Sequence, residues 1–151
     1  MNKLRMICAL AVVVSTVSMG AQAQERYFRM SDGHPANDFI FMLKDPAKIK
    51  QAESIIACSK DPACRSKGLP HVSGTIVISS APYNSRWGFH YEPKTIAFPD
   101  FSVEVCDANT SYVQEHLAEV GGHFLPGNRW CPWGQRVVED VTATISSSGG
   151  N

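Results

Sequence analysis

An α+β domain, with a mostly antiparallel sheet, two helices and two disulfide staples, is the fold this sequence predicts. Short alternating apolar runs mark strands, and two longer segments with helical spacing interrupt them without regular β-α alternation. An even number of cysteines follows an N-terminal leader.

The leader comes first. Lys3 and Arg5 precede an apolar run from Met6 to about Val17, and Ala21-Gln22-Ala23 supplies small residues for cleavage. That is the pattern of a secretory signal peptide cut after Ala23. The run is short for spanning a bilayer and has no stop-transfer flank. Setting residues 1–23 aside leaves 128 of the 151, enough for one domain over 24–145 and a flexible Ser/Gly tail over 146–151. Lys3 and Arg5 leave with the leader, so 12 basic residues face 14 acidic ones, a net charge of −2. Nucleic-acid binding needs clustered positive charge, and none is present. The expectation is an exported monomer, periplasmic or extracellular, with no membrane span and no cofactor.

Cys8 also leaves with the leader. Cys58, Cys64, Cys106 and Cys131 remain, an even set that reads as a disulfide framework in an exported chain. Cys58 and Cys64 bracket the turn "SKDPA" and pair locally, which leaves Cys106 for Cys131. "RWCPWG" has no second cysteine in reach for thiol exchange, and the spacing does not suit zinc.

Along the chain, "ERYFRMSDGHPANDFIFMLKD" predicts two strands around the turn signals Ser31, Asp32, Gly33 and Pro35. Phe39, Phe41 and Leu43 lie on one face of the second strand and Ile40 and Met42 on the other, the pattern of a central strand. Asp45 and Pro46 open a helix with Ile49, Ala52, Ile55 and Ile56 on its buried face, ending near Cys58. "HVSGTIVIS" and "WGFHYEP" alternate as strands, and "TIAF" and "FSVEVCD" predict two more. Asp107 or Asn109 caps a second helix with Val113, Leu117 and Val120 on its stripe, stopped by Gly121. Residues 135–145 fit strand or helix.

Chemistry is sought first among the histidines. His90 shares a predicted strand face with Glu92 as a candidate acid–base pair, and His123 is an alternative. No nucleophile motif accompanies either one. The aromatic loops are the stronger signal. "PYNSRWGFHYEP" and "FLPGNRWCPWG" hold all three tryptophans, and the candidate binding residues are Tyr83, Asn84, Arg86, Trp87, His90, Asn128, Arg129 and Trp130. Trp, Tyr and Arg dominate binding hot spots, and aromatics with Asn and Arg also suit sugars. Core packing competes with this role for Trp87, which alternates with Phe89 and Tyr91. On the second loop, binding and core are both open, with Trp133 expected inward and Trp130 outward. The functional expectation is a non-enzymatic domain recognising a protein or glycan surface. The alternatives are a small secreted hydrolase using His90 or His123, or an inhibitor of such a hydrolase.

"FIFMLKDPAKIKQA", "GTIVISSAPYNSRWGFHYEPKTIAF" and "EVCDANTSYVQEHLAEVGGHFLPGNRWCPW" resemble a family of small exported bacterial proteins labelled calmodulin-binding or calmodulin-like. That family resembles in turn the N-terminal domain of a social-amoeba protein linked to inhibition of cell fusion. The resemblance is most specific around Cys106 and Cys131, and it brings no catalytic residues. This chain has neither an Asp-x-Asp-x-Asp-Gly calcium loop nor a basic amphipathic helix of the kind calmodulin grips.

Overall fold

The computed structural model describes residues 24–148; the predicted leader and the last three residues lie outside them. β1 (Arg26–Ser31) and β2 (Phe39–Leu43) form the expected antiparallel hairpin, with Arg26 opposite Leu43 and Met30 opposite Phe39. Gly33 takes the turn at φ +90°, a conformation open to glycine without steric penalty. Phe28, Met30, Phe39, Phe41 and Leu43 all face the core. The central strand is β1, however, and β2 is an edge. β8 (Arg136–Asp140) pairs with the other side of β1, giving the order β2-β1-β8. Arg29 on β1 reaches Glu139 on β8 across 110 residues of chain, a separation invisible to local periodicity.

α1 (Pro46–Lys60) starts where its cap predicts: the Asp45 carboxylate accepts from the N–H groups of Ala47 and Lys48. Ala52 and Ile55 are buried, and Ile49 and Ile56 pack against the core. The helix runs on to Lys60, past the expected end. Asp61 then caps α2 (Pro62–Arg65), so the Cys58–Cys64 bridge joins two helices at a Cα separation of 5.2 Å.

β3 (Gly74–Val77) lies between β4 (His90–Tyr91) and β7 (Arg129–Trp130), antiparallel to both. The alternation over 87–92 thus overstates the strand, since only two residues pair. The strands predicted at "TIAF" and "FSVEVCD" are absent. In their place are a 3₁₀ turn over Pro93–Thr95, a lone bridge between Ser73 and Ala97, and a 3₁₀ turn over Glu104–Cys106. Pro93 and Pro99 remove ladder donors there, and the side chains of Phe101, Val103 and Val105 have no sheet to face and are exposed.

α3 (Thr110–Glu115) is capped by Asn109, whose Oδ1 accepts from the Tyr112 N–H. It ends at His116, short of the expected Gly121, and a 3₁₀ turn over Leu117–Glu119 follows. β5 (Val120–Gly121) and β6 (Phe124–Pro126) make a small parallel pair. The ambiguous C-terminal segment is both alternatives in turn: β8 is followed by α4 (Thr142–Ser148), which is helical past residue 145, where the tail is expected to begin. The described residues therefore hold four α-helices where the spacing predicts two. None is long and apolar enough to cross a membrane.

Asp140 and Thr142 tie α4 to β1. The Asp140 carboxylate accepts from Arg26 and from the Thr142 hydroxyl and N–H, while Thr142 Oγ1 accepts from the Tyr27 N–H. Burial pushes the Asp140 carboxyl up, but these partners outweigh it and hold the group below its ordinary value of 3.8. A carboxyl depressed in the folded state stabilises the fold above its unfolded pKa and loses that contribution as pH falls through the folded one. Urea melts between pH 6 and pH 2 should therefore show a steeper loss below 3.8 in the native chain than in Asp140→Asn. Parallel pH profiles would remove Asp140 from the account.

Candidate binding site

Four of the eight candidate binding residues come together. Pro82–Asn84 is a 3₁₀ turn, and the chain through Trp87 lies against the β1–β2 hairpin. Tyr83, Asn84, Ser85, Arg86 and Trp87 line one side of a cavity of about 260 Å³, and Arg29, Asp38 and Ile40 line the other. Trp87 is buried, and its indole N–H donates to the Asp38 carbonyl at 3.0 Å. Arg86 is exposed. Its guanidinium sits 4.8 Å over the Trp87 ring and donates to the Pro35 carbonyl. Burial, with smaller contributions from Tyr27, Glu25 and Glu92, pushes the Tyr83 hydroxyl up to about 12, so it stays a neutral group.

His90 is elsewhere. On β4 it pairs with Val77, and its Nδ1 lies 2.7 Å from the Ser79 carbonyl oxygen. A carbonyl can only accept, so Nδ1 carries the proton in that contact. The suggested partner Glu92 follows the strand and makes no hydrogen bond to His90; its N–H donates to Thr75 instead. Among the described residues no group of three or more His, Cys, Asp or Glu side chains is placed to hold a metal ion.

The second loop corrects the expectation for its two tryptophans. Trp130 is 0% exposed and Trp133 is 40% exposed, the reverse of the predicted orientations. Strand geometry is the reason. β7 pairs with β3, with Gly74 opposite Trp130, so Arg129 points out and Trp130 points in. The Trp130 ring stacks on Tyr91 at 5.0 Å and meets Phe39 and Phe89 edge-on, and its indole N–H donates to the Ala108 carbonyl. Gly74 makes room for this: a Cβ there would lie 2.8 Å from the Tyr91 ring. Trp130 is thus a core residue. Asn128 turns the chain at φ +58°, and its amide donates to the Ile76 carbonyl.

Cys106 and Cys131 are joined at a Cα separation of 5.2 Å, and the Cys131 N–H donates to the Cys106 carbonyl. Asp107, the other predicted cap, accepts instead from the Trp133 N–H at 2.7 Å. The bridge therefore anchors two exposed stretches, residues 101–105 and Trp133. Arg129 lines a groove there with Ser73, Pro99, Phe101, Ser102 and Val103, and this groove shares no residue with the cavity at 83–87. The two loops thus line two separate concavities.

The family model for the BP-74 N-terminal domain matches residues 24–144. The chain belongs to that family. No curated protein and no solved structure matches it. The BP-74 N-terminal domain match covers both loops, both disulfides and the eight strands of the described residues.

Periodicity misses two sets of residues in this BP-74 N-terminal domain. Arg29, Asp38 and Ile40 complete the first cavity from the hairpin, and no local signal ties them to residue 84. Phe101, Val103 and Val105 do alternate, but that alternation reads as a half-buried strand. Only Pro99, just before the segment, argues against it.

Proposed function

We propose that the chain is an exported, non-enzymatic binding domain that recognises a protein or glycan surface through loops 83–87 and 127–134. The observation that supports this best is the apolar face around the Cys106–Cys131 bridge. Phe101 is 81% exposed, and Val103, Val105 and Trp133 are exposed with it. Exposed apolar clusters of this kind mark interaction surfaces, and Trp133 and Arg129 are of the hot-spot type. The bridge beneath limits the backbone freedom a partner would otherwise have to freeze out. Two disulfides agree with an oxidising compartment, and the resemblance to small exported bacterial proteins points the same way.

The test uses the mature chain as bait against periplasmic extract or culture fluid. A captured partner should bind Trp133→Ala and Phe101→Asp more weakly by about 2 kcal/mol or more, while both variants melt as the native chain does. Equal capture by both variants refutes the proposal for this loop. Turnover of generic esterase, peptidase or glycosidase substrates, abolished by His90→Ala, refutes the non-enzymatic reading.

A further inference from the structure

We infer that the cavity between the β1–β2 hairpin and the 83–87 loop is a sugar subsite that takes two neighbouring hydroxyls of a single pyranose ring. This rests on the binding reading and deepens it at the first of the two loops. Asn84 is 5% exposed, and its Oδ1 accepts from the Ile40 N–H at 3.1 Å. Only an acceptor can face an N–H, which settles the amide orientation. Nδ2 is then a buried donor with no hydrogen-bond partner among the described residues.

Across the same cavity, Arg29 holds Asp38 Oδ2 at 2.7 Å, and the buried Asp38 Oδ1 is equally unpartnered. Buried polar atoms normally find partners. Here one unpaired donor and one unpaired acceptor, both covered, belong to residues that line a single space. A pair of hydroxyls complements them: the O–H of one donates a hydrogen bond to Asp38 Oδ1, and the oxygen of the other accepts from Asn84 Nδ2.

The charges favour a neutral ligand. Arg29 is already met by Asp38 and Glu139, and the free oxygen of Asp38 repels a carboxylate or phosphate. Tyr83, whose ring packs against Tyr27 at 5.1 Å, adds apolar lining to the cavity. At about 260 Å³ the cavity far exceeds one water, whose share of the liquid is about 30 Å³, and it suits a monosaccharide better than an extended ligand. Both orphaned atoms are covered, so side chains that line the cavity must move for the ring to reach them.

The test is a titration of the ¹⁵N-labelled mature chain with methyl β-glucopyranoside, methyl α-mannopyranoside, N-acetylglucosamine, a fully O-methylated glucoside and inorganic phosphate. At least one free sugar should shift the Asn84 side-chain amide and the Trp87 indole N–H. The methylated sugar, which has no proton for Asp38, should not. Asp38→Asn should weaken binding about tenfold or more, as should Asn84→Ser, with melting curves confirming that each variant folds. No shift with any free sugar, equal shifts with the methylated one, or shifts with phosphate instead each overturn the subsite. Because Trp133 lies on the other loop and Phe101 on the separate 101–105 stretch, failure here alongside a captured partner there rejects the sugar and leaves the binding surface standing.

Discussion

Trp130→Ala should cost about 3–5 kcal/mol of folding stability, the range for removing a fully buried tryptophan. The ring touches Phe39 of one three-stranded sheet, Tyr91 of the other and the neighbouring Phe89, so its loss opens a cavity where the two halves of the core meet. The change also strands the Ala108 carbonyl, which accepts the indole N–H at 2.8 Å. For a domain of this size the melting temperature should fall on the order of 10 °C or more. Trp133→Ala removes an exposed ring while the backbone bond to Asp107 remains, so its effect should stay within about 0.5 kcal/mol. Matching melts for the two variants would contradict the placement of both residues.

Opening the Cys106–Cys131 bridge with paired serines should cost about 3.5 kcal/mol, from the entropy of a loop closed across 25 residues. The same change at Cys58 and Cys64, which close only 6, should cost about 2 kcal/mol. Denaturant melts of the two double variants measure the order. Burial separates the bridges further, since Cys106 and Cys131 are shielded while Cys58 and Cys64 are half-exposed on the helical surface. Mild reductant should therefore free Cys58 and Cys64 first, which peptide mapping after timed alkylation can follow. Earlier labelling of Cys131 would show that the aromatic loop opens more readily than its contacts imply.

What could be read in advance was local. Asp45 and Asn109 cap helices because their short acceptors suit the first orphaned N–H groups, a rule needing only neighbouring residues. The disulfides followed from counting cysteines. Everything that depended on distant strands was out of reach. The inward turn of Trp130 depends on β7 pairing with β3, and the central place of β1 depends on β8. The 101–105 segment reads as a strand without being one, because alternation reports which side chains share a side, not whether a neighbouring strand exists to cover them. The first loop was legible as a group of residues, but the side chains facing it, Arg29 and Asp38, were not.

The position of β1 also governs the order of assembly. Its hairpin partner β2 emerges within a few residues, whereas β8 closes the other edge only once residue 140 is available. Until then the hairpin carries an open row of amides and carbonyls beside buried-type aromatics, a template for foreign strands. Folding is thus delayed until nearly the whole domain has emerged, as is typical of long-range strand pairing. A chain cut short before residue 136 would therefore keep the hairpin but leave one side of its central strand bare, with the sheet unfinished.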